Sequence, residues 1–472
     1  MKFNRNRVSK LRFPLFALAA FLLRLLPLAT AQAAVALTNG SLGLQVAVGA
    51  TNDVWANPPP ADTVFDRWVG DINLAANPYA WHTTVVMPTN GASLTATFKA
   101  APSWLTHTNT LNALPPGDPN AVNLIYYLPT NSAGVIFFFN GARGAASGFF
   151  AEAESFTFAR DAVSAGYGVA ALDSGSGPGK SWTTTLAANN VDVVNVQAAL
   201  NSFIALGLMT TNTPKFAAGM SAGGFFAPIP AYFLRFNACA IWCSSGAPRS
   251  PGTTAFNLTT VPTIWNLGRN DDLFNHTAFL SDATNNLALL AARGVVGEVR
   301  ENPPSPVYPR RFLRIAGLSA ADSQAIHDQL KSAGLLDVFD YLVSNPMNNG
   351  NQWQSALSGY TSYFGGIQNQ LNSCYSEHHF FSDFGNKTLQ FFGAHRLPAA
   401  RPGEISALTK LTNGAIKLTI RADPGQNYLV QASPDFGIWT PIFTNTYSGG
   451  TFDCLDAGLP NVSNRFYRTI SP

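Results

Sequence analysis

The stretch "KFAAGMSAGGFFAPIPAYF" holds one serine, Ser221, between Gly219 and Gly223. A serine hydroxyl attacks an acyl carbon only when a base takes its proton and an acid orients that base. Two glycines around it allow the chain to double back tightly and expose the hydroxyl. The chain supplies candidates for both helpers, in the order serine, acid, histidine. Asp271 and Asp272 follow the apolar run "PTIWNLG", and Asp271 is the favoured acid. Of seven histidines, His82 and His107 come too early and His276 lies too near the acid. His327 sits in an amphipathic stretch, and His395 follows the final helical segment. The adjacent pair His378 and His379 in "CYSEHHFFSDFG" remains, and either could serve as base.

These residues need a scaffold. The segments "NLIYYLP", "GVIFFFN", "GYGVAALD", "KFAAGM", "ACAIWCSS", "PTIWNLG" and "VGEVRE" read as strands. Helical patterns such as "NNVDVVNVQAALNSFIALG" alternate with them. That alternation over residues 122–395 predicts an α/β domain with a mainly parallel sheet covered on both faces. "FFAPIPAYFL" reads as a helix interrupted by Pro228 and Pro230.

The strand, the Gly-x-Ser-x-Gly turn and the helix after it resemble the nucleophile elbow of the α/β-hydrolase fold. "GMSAGG" resembles the serine motif of secreted poly(3-hydroxybutyrate) depolymerases and of feruloyl and acetylxylan esterases. The resemblance covers the serine region and the strand order, and implies a serine esterase. It places the acid after a strand ending in Gly-x-x-Asp, which fits Asp271. It places the histidine directly before an aromatic, which favours His379, with His378 as the alternative. It implies an oxyanion hole made by the backbone N–H groups of Ala222 and Ala142. Asn140-Gly141-Ala142 stands where the family has His-Gly-x, so Asn140 is a departure that touches loop support. No metal and no organic cofactor are implied.

Composition bounds the rest. The chain has 472 residues, 46% hydrophobic and only 12% charged. Lys2, Arg5, Arg7, Lys10 and Arg12 precede an apolar run ending near Ala31 and Ala33. This reads as a secretory signal peptide spanning residues 1–33. Removing its six basic groups, those five and Arg24, from a chain of formal charge +3 leaves −3, which argues against a nucleic-acid partner. No later run is long and apolar enough to span a membrane. Cys239, Cys243, Cys374 and Cys454 could oxidise in an exported chain. A Cys243–Cys374 bridge is the pairing considered, since both should reach the active-site edge of the sheet.

Two β-rich modules flank the hydrolase segment. Residues 35–100 carry "VFDRWVGD", "TTVVMP" and "LTATF", and resemble an internalin-type B-repeat over about 60 residues. Trp68 is expected in its core. Residues 101–121 read as a linker. Residues 405–472 resemble C-terminal β-modules of secreted bacterial proteins. About 75 residues separate "VGEVRE" from the histidines, too long for a plain loop. The span 302–373 therefore reads as an inserted cap. Phe225, Tyr360, Tyr363 and Phe364 are the candidate substrate contacts. The expected function is ester cleavage on an extracellular polymer, a polyester or an esterified polysaccharide. A serine peptidase on the same fold and a non-catalytic polymer-binding protein are the rivals.

Overall fold

The computed structural model describes residues 35–43, 47–112, 121–175, 181–247, 254–271, 276–348, 352–396, 403–422, 426–447, 450–457 and 464–470. The expected signal peptide lies outside these residues, as does Asp272. The chain divides into two units, one of them mainly β over residues 35–56 and 67–97. In that unit Gly40–Leu42, Thr51–Ala56 and His82–Val86 form an antiparallel sheet. Trp68 is buried and donates its indole N–H to the Ala80 carbonyl at 3.0 Å.

In the other unit, eight strands form one sheet. In chain order they are β1 (His107–Asn112), β2 (Ala121–Tyr127), β3 (Val135–Phe139), β4 (Gly168–Leu172), β5 (Lys215–Met220), β6 (Ala238–Trp242), β7 (Thr263–Gly268) and β8 (Gly297–Asn302). Their spatial order is β1-β2-β4-β3-β5-β6-β7-β8. Pairing is antiparallel between β1 and β2 and between β2 and β4, and parallel from β4 through β8. Every residue of β3, β4, β6 and β7 is buried. Continuous apolar strands are what a sheet covered on both faces requires. Two apolar layers, one on each face, cover it. Among the described residues, no helix is long and apolar enough to cross a membrane.

The seven strands expected from sequence are all present. An eighth, β1, occupies part of the expected linker. Its Thr and Asn residues mask it as a loop, because it is an edge strand that buries Leu111 and leaves its other face to solvent.

The span 302–373 builds its own small core from Val307, Phe312, Ile326, Leu330, Trp353 and Leu371. It is also fixed to the helix layer over the sheet by a buried acid. Glu154, on the helix Ala153–Ser164, is fully buried. It accepts hydrogen bonds from Arg311 at 3.2 Å, Arg314 at 2.7 Å and Gln370 at 3.0 Å, all from the inserted span. It also accepts from the backbone N–H and the hydroxyl of Ser382, at 2.8 and 2.7 Å. Although burial opposes it, the two guanidinium groups and the Ser382 bonds hold this carboxyl well below the usual carboxylate range.

Residues 404–470 form two three-stranded antiparallel sheets. Leu418, Ile420, Tyr428, Val430 and Cys454 make a core of their own between them.

Candidate active site

Strand β5 delivers Ser221 to a sharp turn, and short helices Ala222–Phe226 and Pro228–Phe233 carry the chain away. The two prolines sit in the second helix's first turn, where a missing N–H costs nothing. Ser221 adopts φ 53° and ψ −116°, a conformation an L-residue rarely takes. Such strain costs about 1–3 kcal/mol and must be held by the surroundings. The surroundings are tight. A Cβ on Gly219 would lie 2.2 Å from the Gly223 carbonyl oxygen, and one on Gly223 would lie 2.0 Å from that of Phe139. The Ser221 N–H donates to the Trp242 carbonyl at 2.9 Å, tying the turn to β6.

Asp271 stands just beyond β7 and is buried. The histidine pair follows the helix Phe364–Tyr375, which ends at Ser376 with φ 65°. That left-handed residue turns the chain back toward the acid, and its contacts lace the two loops together. The Ser376 hydroxyl accepts from Arg269 N–H at 2.9 Å and donates to the Asn302 carbonyl at 2.6 Å. Asn270 donates from its backbone to the Ser376 carbonyl at 3.0 Å and from its amide to the Tyr375 carbonyl at 2.9 Å. Buried Glu377 accepts from the His378 backbone N–H at 2.9 Å and from the Asn345 amide.

This lacing presents His378, not His379, to the serine. His378 Nε2 lies 2.8 Å from Ser221 Oγ, and its Nδ1 lies 2.7 Å from Asp271 Oδ2. The sequence-based preference for His379 is corrected on this point. The His379 N–H donates to the Glu377 carbonyl at 2.7 Å, so the chain folds tightly about His378, and the motif before an aromatic does not register which of the two faces the serine. His379 turns inward. Its Nε2 is buried without a hydrogen-bond partner among the described residues. Burial first, then the neighbouring His378 and Arg311, push its pKa down to about 4, against a partly offsetting pull from Glu154.

The loop after β3 lies against the serine. A Cβ on Gly141 would sit 3.5 Å from the Ser221 Cβ. Asn140 supports this loop: its amide donates to the Ala145 carbonyl at 2.7 Å, and its own carbonyl accepts from the Trp182 indole at 2.7 Å. Ala142 follows in the same loop, and Ala222 opens the helix after Ser221. A cavity of about 250 Å³ borders this loop, with Gly141, Ala142, Met220, Phe138, His379 and Phe380 in its wall.

The substrate contacts expected from sequence divide. Phe225 stays near the site: its ring lies 6.3 Å from that of Phe279, which lies 6.3 Å from the His378 ring. Tyr360, Tyr363 and Phe364 instead pack on the inserted span's own core. Phe364 meets Trp353 edge-on at 5.1 Å, and the Tyr363 hydroxyl donates to the Gly317 carbonyl at 3.4 Å.

All four cysteines are free and buried. The Cys243 thiol donates to the His379 carbonyl at 3.3 Å and the Cys374 thiol to the Pro306 carbonyl at 3.8 Å. The Cys243–Cys374 bridge is therefore not formed. Glu154, Arg311, Arg314, Ser376 and Glu377 were missed as positioning groups. A hint existed for Glu154: it lies four residues before Phe158 on one helix face, and an acid on a core-facing side needs a buried partner.

The sheet order, the strained serine after β5, the acid after β7 and the histidine after the last inserted helix define an α/β-hydrolase fold. No protein-family model matches the sequence, and no curated protein matches it. Among solved structures, the chain is similar to esterase B from Lactobacillus rhamnosis at 15% identity, over 42% of this chain and 74% of that one, with a TM-score of 0.30. A highly thermostable carboxyl esterase from Bacillus coagulans shares 10% identity over 42% of this chain and 90% of its own, at 0.31. Acylaminoacyl peptidase from Pyrococcus horikoshii shares 11% over 45% of this chain and 41% of its own, at 0.32. These likenesses are partial, and the fold class rests on this chain's own sheet and elbow.

Proposed function

We propose that this chain is a secreted serine hydrolase that cleaves carboxylic esters through Ser221, His378 and Asp271. The observation that carries the proposal is His378 bridging Ser221 Oγ and Asp271 Oδ2 at 2.8 and 2.7 Å. His378 Nε2 takes the Ser221 proton as Oγ attacks the ester carbon. Asp271 keeps the other ring proton on Nδ1 and steadies the imidazolium that forms. The backbone N–H groups of Ala222 and Ala142 receive the negative charge of the tetrahedral intermediate. The imidazolium then protonates the leaving alcohol, and water repeats the sequence on the acyl-enzyme.

An extracellular polymer as substrate is supported by the signal-like N-terminus, by the two flanking β-modules and by the motif resemblance. Attachment modules raise the local concentration of an insoluble substrate without adding active-site contacts. Ser221→Ala is the test. It should abolish hydrolysis of short-chain 4-nitrophenyl esters and labelling by a fluorophosphonate, with an unchanged melting temperature. Activity within tenfold of the parent would refute the mechanism. Faster turnover of matched anilides than of esters would move the assignment to a peptidase.

A further inference from the structure

Cys243 adjoins the acid–histidine pair. It follows β6 directly and is fully buried, at φ 47°. Its Sγ, a carboxylate oxygen of Asp271 and an imidazole nitrogen of His378 all lie within 4.8 Å of one another. A second observation points to a ligand at this place. Asp271 uses Oδ2 for His378, while its Oδ1 is buried with no hydrogen-bond partner among the described residues. A buried carboxylate oxygen without a donor costs free energy that a bound cation would recover.

We propose that a thiophilic divalent cation of the zinc and cadmium class binds across Cys243, Asp271 and His378 and switches the hydrolase off. The donor set, one thiolate, one carboxylate and one imidazole, is of the kind such ions select. Donors of a tetrahedral ion sit roughly 3.5 Å apart, so the three groups need to draw in by only about 1 Å. The Cys243 thiol gives up its proton to solvent as the sulfur–metal bond forms, and one proton is released per ion. The ion occupies His378 Nδ1, and the ring proton moves to Nε2. With Nε2 protonated and Nδ1 on the metal, the ring can no longer accept the Ser221 proton. Inhibition therefore rests on the Ser221–His378–Asp271 assignment, whereas binding does not.

The test titrates the full chain with cadmium chloride and follows thiolate-to-cadmium charge transfer in the ultraviolet. Zinc inhibition of ester hydrolysis is measured in parallel in chelator-free buffer. The expected result is a band saturating at one equivalent of cadmium. Cys243→Ser should abolish it and raise the half-inhibitory zinc concentration by about tenfold or more. Cys374→Ser, which removes a buried thiol elsewhere, should preserve both readouts. Ser221→Ala should keep the cadmium band while losing hydrolysis. Hydrolysis surviving in Ser221→Ala would refute the serine mechanism alone, since the band still reports the cation site. An unchanged band or unchanged zinc inhibition in Cys243→Ser overturns the site. Should that variant fail to fold, His378→Gln must shift the cadmium midpoint by about tenfold or more, and an unmoved midpoint overturns the proposal.

Discussion

Exchanging each histidine of the pair for glutamine separates two residues that sequence treats as near equals. In His378→Gln the side chain keeps its approximate reach and loses its ability to accept a proton. Both short contacts, 2.8 Å to Ser221 and 2.7 Å to Asp271, belong to this ring. Loss of a triad histidine typically costs on the order of 10⁴-fold or more in kcat. At about 1.4 kcal/mol per tenfold, that is roughly 5.5 kcal/mol of lost transition-state stabilisation. The two ground-state contacts are worth about 1–3 kcal/mol to folding, since the Asp271 carboxylate they engage is buried, so the melting temperature should fall by a few degrees while the fold survives. His379→Gln touches a different wall. That ring lines the cavity beside Gly141 and Ala142 and makes no contact with Ser221 Oγ, so kcat should fall less than about tenfold. Steady-state hydrolysis of 4-nitrophenyl butyrate, with fluorophosphonate labelling to count active serines, measures both variants. A larger loss in His379→Gln than in His378→Gln would refute the assignment.

Glu154→Gln should destabilise the fold by about 3–5 kcal/mol, because two buried guanidinium groups lose their shared carboxylate; an unchanged denaturant midpoint would contradict that. With its folded pKa lowered, Glu154 contributes fully above its ordinary value of 4.5 and progressively less as pH falls through and below it. A plot of stability against pH should therefore be flatter in acid for the variant. His379 works in a neighbouring window. Its folded pKa of about 4 lies below its ordinary 6.5, so the unfolded chain binds the extra proton and stability falls as pH drops from 6.5 to 4. His379→Gln should remove that part of the acid sensitivity, as read by melting temperatures across the range. Deleting residues 403–472 should leave turnover of a small soluble ester within a few-fold, since that module has its own core. Adsorption to an insoluble polyester or acetylated xylan should drop more, and equal loss of both with a lowered melting point would count against an attachment role.

The sequence alone carried the sheet and the serine. Strands β3, β4, β6 and β7 announce themselves as largely apolar runs, because a strand buried on both faces has no reason to alternate. Ser221 is legible because its turn admits no Cβ at Gly219 or Gly223, and a steric demand that absolute leaves a mark in residue type. Asp271 follows from its place after β7. Strand β1 was hidden because an edge strand half in water needs few apolar residues.

Only the tertiary structure decided between His378 and His379. The choice depends on how Ser376 turns the chain and on contacts with Asn302, Asn345 and Arg269, residues far away in sequence. The same holds for Tyr360, Tyr363 and Phe364, whose spacing fits a cleft wall and a small core equally well. Glu154 and its two arginines are more than 150 residues apart, so no local pattern could pair them. Local sterics write themselves into neighbouring residues; which side chain meets which across the sheet edge is settled by packing, and packing is a property of the whole chain.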